Sequence, residues 1–170
     1  MRRHMTDDPI DRMLDQWRTE RPDLDPAPMG VVARLLRAAW LADRAVEEEL
    51  GRHGLQPGWF DVLSALRRAG APHRLTPGRL AASVMLSTGG MTKRLDRMEQ
   101  AGLIERRPDP DDRRGVLVGL TRQGRRTIDA VVEDHIENER RLLAGLSVAE
   151  RERLERLLRK LDATMTRPQP

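Results

Sequence analysis

Small and polar side chains open a segment that is predicted to form a helix from about residue 88 to 101. Their hydroxyl, amine and guanidinium groups can hydrogen-bond to phosphates and to base edges. A helix that enters a major groove roughly 12 Å wide needs side chains of this size and chemistry at its start. The residues predicted to face such a groove are Ser87, Thr88, Gly90, Thr92, Lys93 and Arg97, with Arg94 beside them.

A hairpin predicted just after this helix brings further arginines. Residues 103–106 and 115–120 have the composition of short strands, and the polar, turn-rich stretch 107–114 joins them. Arg113 and Arg114 lie at the tip, where arginine can enter the negative potential of an A·T-rich minor groove. Asp112 is the acidic neighbour expected to brace and aim one of them.

The helix itself has to be held by other elements. Its apolar positions, Met91, Leu95, Met98 and Ala101, recur at the helical period and would dock it on a core. Thr76-Pro77 marks the start of a shorter helix, to about Val84, that would brace it. Taken singly, a Ser/Thr/Gly helix start is usually only a cap. Two short helices and a hairpin in this order predict a mainly α (α+β) winged helix-turn-helix with a two-stranded β wing.

Longer helices flank this lobe. Apolar periodicity predicts helices over residues 6–20, 30–52 and 57–69, with a proline-rich break at 22–28. After the lobe, Thr121 begins a helix that runs to about residue 143. A capping box at Ser147–Glu150 begins a last helix with a leucine stripe over 154–161. That stripe needs a partner surface, either within the chain or on a second copy. The predicted parts are 1–56, 57–120 and 121–170.

Charge and composition limit the class of protein. Of the 31 basic residues, 29 are arginine, and residues 57–120 hold 11 basic against seven acidic side chains. A basic centre favours a polyanionic partner. The sequence has no cysteine, which excludes disulfides and thiolate zinc sites. It shows neither a secretory signal nor a membrane-spanning stretch, so we expect a cytoplasmic protein with no membrane partner.

Enzymatic chemistry has little support in the residue pattern. The four histidines, His4, His53, His73 and His135, form no i, i+4 pair, and no nucleophile has an evident base nearby. We therefore expect no enzyme activity, no cofactor and no metal site. Two alternatives stay open: a metal sensor in which histidines and carboxylates meet in three dimensions, and a DNA-binding protein without an effector.

The run LAASVMLSTGGMTKRLDRMEQAGLIERRPDPDDRRGVLVGLTRQG, residues 80–124, resembles the core of the MarR (multiple antibiotic resistance regulator) family. The spacing from DDRR to LTxxG is specific to that family, and the flanking helices 30–69 and 122–162 match its arrangement. The resemblance implies an obligate homodimer formed by the first and last two long helices. It also implies two DNA-binding lobes on a pseudo-palindromic operator. In a two-fold dimer the half-sites should lie roughly 10 bp apart. Repression and activation both stay open, with repression by steric occlusion as the simple default.

The N-terminal helix with its tryptophan is similar to the branch of this family that responds to urate or related small anions. The matching positions are Trp17, Asp61, Arg68, Arg94 and Arg106. The resemblance implies that Trp17 stacks on or covers a planar ligand, that Arg94 and Arg106 bind its anionic oxygens, and that the ligand repels Asp61. Movement of Arg94 would then displace the DNA-contacting helix. Asp61 and Arg68 are two turns apart and share a helix face.

Other interpretations of these residues remain open. Trp17 can be an apolar lock at a dimer interface, Asp61–Arg94 can be a structural ion pair, and Arg94 can serve DNA, ligand or both. The effector can instead be a tricarboxylate such as trans-aconitate, or a phenolic or antibiotic compound. Trp40 and Trp59 are expected in the core or in a pocket wall.

Overall fold

The computed structural model describes residues 8–56, 58–84, 88–112 and 114–166. It divides between Ala45 and Val46 into two compact units, each described by itself. The elements, in chain order, are α1 Pro9–Glu20, α2 Ala27–Arg52, α3 Trp59–Arg68, β1 Arg74–Leu75, α4 Pro77–Ser83, α5 Thr88–Gln100, β2 Ile104–Pro108, β3 Val116–Leu120, α6 Arg122–Leu142 and α7 Val148–Met165. This order confirms the predicted mainly α winged-helix fold.

The N-terminal unit is built on the packing of α1 against the first part of α2. Asp8 caps α1 by accepting a hydrogen bond from the Ile10 amide at 2.9 Å. That hydrogen bond is the largest cause that holds the pKa of Asp8 below its usual value; burial opposes it, and Arg34 and Arg37 lower the pKa further. Leu14 lies so close to Gly30 that a Cβ there would be 2.9 Å from Leu14 Cδ1. A larger residue at position 30 would therefore require the end of the Leu14 side chain to move.

Helix α2 begins at Ala27, three residues before the predicted start at 30. Proline at position 28 does not prevent this, because the first turn of a helix leaves its amide groups without intrahelical partners. The Asp25 carboxylate accepts a hydrogen bond from the Ala27 amide at 3.0 Å and so caps the start. Helix α3 also differs: it begins at Trp59 after Gly58, rather than at Pro57, which lies outside the described residues.

The core of the C-terminal unit lies under α3. Val62, Leu63 and Leu66 of this helix have no exposed area. Side chains from four other elements complete the core: Leu80, Leu95, Met98, Val118, Ile128 and Val131. The DNA-contacting helix predicted from the sequence is thus attached to the same core as α3 and α6.

The predicted two-stranded wing is present as the β2–β3 hairpin, but it belongs to a three-stranded antiparallel sheet in the order β1-β3-β2, whose strand β1 was not predicted. Strands β2 and β3 pair from Ile104↔Leu120 to Pro108↔Val116, as the hairpin prediction required. The extra strand pairs Arg74 with Gly119. Two residues are too few to show an alternating pattern, so the sequence shows no sign of this strand. Gly119 permits the pairing, since a Cβ there would lie 2.8 Å from Arg74 Cγ.

Helix α5 ends one residue earlier than predicted. Gly102, at φ 70°, ends the helix as predicted, and the Leu103 amide donates back to the Met98 carbonyl at 3.0 Å. Since the regular helix stops at Gln100, Ala101 turns outward and is exposed instead of docking on the core.

Helix α7 buries none of its side chains. Leu154, Leu157 and Leu158 of the predicted stripe are 38%, 56% and 41% exposed. Within the described residues, the chain therefore does not cover this stripe. None of the described helices is both long and apolar enough to cross a lipid bilayer.

Candidate nucleic-acid interface

Helices α4 and α5 form the core of the site. The Thr76 hydroxyl accepts a hydrogen bond from the Arg79 amide at 3.3 Å, and Pro77 occupies the first turn of α4. Leu80 and Ala81 are buried, which leaves α4 fixed against the core. Residues 85–87, which join the two helices, lie outside the described residues, and so does the predicted contact Ser87.

The outer face of α5 is polar and cationic. Met91, Leu95 and Met98 are buried, so the helix is anchored along one face as predicted. Gly90, Lys93 and Arg97 lie at i, i+3, i+7 and are exposed on another face, and Thr92 is also exposed. Neither Lys93 nor Arg97 forms an ion pair with any described residue. Their charges are therefore available to an external anion. Thr88 begins α5, but its side chain lies outside the described part.

An ion-pair cluster joins α5 to the wing. The Arg106 guanidinium on β2 donates to Asp96 Oδ1 at 2.7 Å and to Glu99 Oε2 at 2.6 Å, and both carboxylates belong to α5. Burial lowers the pKa of Arg106, but the hydrogen bonds to the two carboxylates outweigh it and raise the pKa overall. Arg106 thus holds the orientation of α5 relative to the sheet.

The wing tip is a turn held by its own aspartates. The Asp109 carboxylate accepts from the Asp111 amide at 3.0 Å, and the Asp112 carboxylate accepts from the Arg114 amide at 2.9 Å. Asp112 therefore braces Arg114 through the backbone amide of that residue. The Arg114 side chain is exposed and has no ion pair among the described residues. Arg113 lies outside them.

Arg94 turns away from the exposed face of α5 toward the start of α3. A Cβ on Gly58 would lie 2.6 Å from Arg94 Cζ, so the guanidinium packs directly on the backbone there. Gly58 also has φ 77°, which favours glycine independently. Arg94 and Asp61, in the first turn of α3, form no ion pair, although both are described. The structural ion pair considered for them is therefore absent.

The other residues of the predicted ligand set have separate surroundings. Arg68 donates to Ser64 Oγ at 2.7 Å and lines a cavity of about 290 Å³ with Phe60 and His135. Trp17 belongs to the N-terminal unit, is 42% exposed and lines a hollow with Met13. Arg68 and Arg106 therefore line two different cavities.

A second cavity, of about 430 Å³, separates α4 and α5 from β3, and Arg106 and Asp96 form its polar wall. Met91, Leu95 and Val116 contribute apolar surface. A cavity with an apolar lining and one charged edge can accept a planar organic anion. Its place beneath α5 means that an occupant would contact the same groups that fix this helix.

The two remaining tryptophans, Trp40 and Trp59, differ in their exposure. Trp40 was expected in a core or pocket wall, but it is 55% exposed and has the Arg44 guanidinium 5.0 Å from its ring centroid. Trp59 is partly buried against the core, as expected. Arg79 of α4, exposed and without an ion pair among the described residues, was not predicted as a DNA contact. Nothing in the sequence alone distinguishes it from other surface arginines.

These elements define a winged-helix DNA-binding protein. A family model described as the MarR family matches residues 53–115. The transcriptional regulator PecS of Dickeya dadantii is 41% identical over 153 residues, which cover 90% of this chain and 92% of PecS. The chain therefore belongs to the MarR family of transcription regulators.

Solved structures of similar proteins match most of the chain. A mutant MarR from E. coli complexed with operator DNA matches with a TM-score of 0.69 and 28% identity, over 85% of this chain and 96% of that one. The Bordetella bronchiseptica protein BpsR, in a study of how 6-hydroxynicotinic acid regulates its DNA binding, matches with a TM-score of 0.68 and 27% identity, over 78% and 98%.

Proposed function

We propose that the chain is a homodimeric repressor that binds a pseudo-palindromic operator and is released from it by a small planar anion. The observation that carries the DNA-binding part is the outer face of α5, which exposes Lys93 and Arg97 without acidic partners while its inner face is buried. Gly90 leaves that face flat enough for close approach to a groove. Arg114, with Arg113 beside it in the sequence, supplies cations at the wing.

The dimer follows from uncovered apolar surface. Helices α6 and α7 expose a set of large apolar side chains: Ile136, Leu142, Leu143, Leu154, Leu157 and Leu158. Such a surface is unfavourable in water and is typical of an interface between subunits. A second copy of the chain covers it with two-fold symmetry. The two lobes then contact half-sites about one helical turn, roughly 10 bp, apart.

The proposed release by a small anion depends on the cationic side chains around α5. Arg106 is already shared by Asp96 and Glu99, so an anion entering the cavity beneath α5 competes with these carboxylates for it. That competition loosens α5 from the wing and disturbs the half-site geometry. Arg94, Asp61 and Trp17 stay in the proposed ligand set, whereas Arg68, which was also predicted to belong to it, lines a different cavity. The effect on DNA is limited by how much more tightly the anion binds the released state.

Urate or a related purine is the effector we favour. It is planar and anionic, and it suits stacking on an indole and bidentate contact with a guanidinium. The aromatic acid named in the BpsR study shows that a MarR-like relative is regulated by a compound of similar chemistry. A tricarboxylate such as trans-aconitate, or a phenolic compound, is the alternative for the same site.

The test is a titration of urate, xanthine, trans-aconitate and citrate at one fixed salt concentration. DNA release is followed with the intergenic region beside the gene, and ligand binding is followed separately by tryptophan fluorescence. We expect urate to bind and release DNA in the wild type and in the control Trp40→Phe, but not in Arg94→Ala or Trp17→Ala. If the protein binds the DNA and none of the anions releases it, the proposed ligand site is wrong, and the DNA-binding function is unaffected.

A further inference from the structure

Three potential metal ligands that the DNA-contacting surface does not use meet where α2 ends beside α6. Glu49 and His53 are one turn apart on and just after α2, and Asp134 is on α6. The His53 Nε2 atom lies 3.0 Å from Glu49 Oε1 and 3.1 Å from Asp134 Oδ2. One ligand atom from each residue falls within 4.8 Å of the others. All three belong to the C-terminal unit.

Glu49 shows that this cluster is more than a surface group of charges. The residue is only 4% exposed, and neither of its carboxylate oxygens accepts a hydrogen bond from any described residue. A buried carboxylate in that state is strongly unfavourable unless a cation compensates it. His53 cannot do so fully, because a single Nε2 proton faces two carboxylates at nearly equal distances.

A second buried polar atom, on His135, also lies close to Glu49. His135 Nδ1 has no hydrogen-bond partner among the described residues and lies 3.7 Å from Glu49 Oε2. The His135 ring packs on Phe60, with 4.3 Å between the ring centroids, and its Nε2 faces Glu139 Oε1 at 3.3 Å. The ring is thus held beside Glu49 with one nitrogen unused.

We propose that Glu49, His53 and Asp134 bind one divalent transition-metal ion, with zinc the preferred ion. Tetrahedral zinc with bonds of roughly 2.0–2.1 Å separates its ligand atoms by about 3.3 Å. The two contacts of His53 Nε2 are close to that spacing. One imidazole with two carboxylates suits zinc better than magnesium or calcium, which prefer oxygen ligands alone. Water takes the fourth position, as in other sites with three protein ligands.

The ion would tie the end of α2 to α6. Leu50, beside Glu49, and Val131, one turn from Asp134, are both in the buried core. The site therefore lies beside the buried core, where His53 and Asp134 already approach within 3.1 Å, and it needs little rearrangement to accept an ion. Because the ion binds only the folded arrangement, it raises the thermal midpoint of the protein. The proposal does not depend on the effector site or on DNA binding.

The test uses tag-free protein, dialysed against a chelator and then equilibrated with micromolar zinc chloride. We expect close to one zinc per chain and a higher thermal midpoint with zinc, and no comparable binding of magnesium. His53→Ala and Asp134→Asn are each expected to weaken zinc binding by at least about tenfold. Asp134 has a side chain that is 65% exposed, so its substitution keeps the test valid even if His53→Ala fails to fold.

Two controls separate this site from casual binding to surface groups. Glu133→Gln removes a neighbouring α6 carboxylate outside the cluster, and His73→Ala removes a histidine that precedes β1. Both should bind zinc as the wild type does. The proposal is overturned if the wild type binds no zinc, or if Asp134→Asn binds zinc with the same affinity and stoichiometry as the wild type.

Discussion

Glu99 of α5 accepts two hydrogen bonds from one residue of the wing, Arg106. The Arg106 amide reaches Glu99 Oε1 at 2.9 Å, and its guanidinium reaches Glu99 Oε2 at 2.6 Å. Backbone and side chain of one residue therefore fix the same carboxylate. The position of α5 relative to the wing therefore depends on the contacts of a single arginine.

Arg106→Ala removes the guanidinium from both Asp96 and Glu99. We expect the free energy of unfolding to fall by about 1 kcal/mol. This is the contribution of a charge-assisted hydrogen-bonded pair, reduced because the pair is partly exposed to solvent. Arg106→Lys should recover only part of this, because an ammonium cannot form the forked contact. Urea denaturation measures both. Arg107→Ala is the control, since its exposed pair with Glu105 should contribute less than about 0.5 kcal/mol. Equal losses for Arg106→Ala and Arg107→Ala would contradict the role of the cluster.

Gly124 explains the glycine of the LTxxG pattern. A Cβ there would lie 1.8 Å from the Leu103 carbonyl oxygen, and the Thr121 hydroxyl and amide hold that oxygen, each at 3.2 Å. The backbone cannot retreat, so Gly124→Ala should destabilise the fold by about 3 kcal/mol in thermal or urea unfolding.

The same substitution elsewhere supplies the control for Gly124. A Cβ on Gly51 of α2 would have no other atom within 4 Å. Gly51→Ala should therefore stabilise the protein by about 0.5 kcal/mol through helix propensity. A Gly124→Ala protein as stable as the wild type would show that the close approach is wrong.

Leu157→Glu tests the dimer. A charge placed at the centre of the uncovered stripe on α7 should prevent its burial against a second copy. Sedimentation is expected to show a dimer for the wild type and a monomer for the variant. Arg156→Glu, on the opposite side of α7, should remain dimeric. A Leu157→Glu dimer of unchanged affinity would exclude this surface as the interface.

The cap of α7 gives a pH dependence whose sign can be stated. Hydrogen bonds from the Ser147 hydroxyl and amide lower the pKa of Glu150. Its contribution to stability is therefore fully present above the unfolded pKa of roughly 4.3, and it is lost as the pH falls through the lower folded value. Ser147→Ala should lower the thermal midpoint by roughly 3 °C at neutral pH.

That loss should shrink on acidification, because Glu150 becomes protonated and its hydrogen bonds with Ser147 weaken. Calorimetry between neutral and acidic pH measures the difference. Ser83→Ala removes a hydroxyl that donates to the Arg79 carbonyl and involves no carboxylate, so its effect should not follow this pH course. A Ser147→Ala deficit that stays constant with pH would contradict the account.

Local patterns in the sequence were enough to predict most of the fold. Thr76, Thr121 and Ser147 cap helices as predicted, and Gly102 ends α5, because these signals depend only on neighbouring residues. The short strand at Arg74 was missed because its partner, Gly119, is distant in the chain. Ala101 was misplaced because the helical period was continued past the last hydrogen-bonded turn.

The sites were predicted less completely, and for a physical reason. The exposed face of α5 follows from periodicity, so Gly90, Lys93 and Arg97 could be placed from the sequence. The ion pairs of Arg106 could not, since they join residues on different elements. The Glu49–His53 spacing of four residues is visible in the sequence, but the third member, Asp134, is brought to it only by the fold.

Binding of the intergenic DNA tests the central claim most directly. Fluorescence anisotropy over a range of salt concentrations should show the wild type binding this fragment at least about 10³-fold more tightly than a shuffled one. Lys93→Ala and Arg97→Ala should each weaken binding. Each should also reduce the slope of log K against log salt by about one, the contribution of one phosphate contact, whereas Lys160→Ala should change neither quantity. Equal affinity for both fragments, or a slope that neither variant changes, would contradict α5 as the DNA-contacting helix.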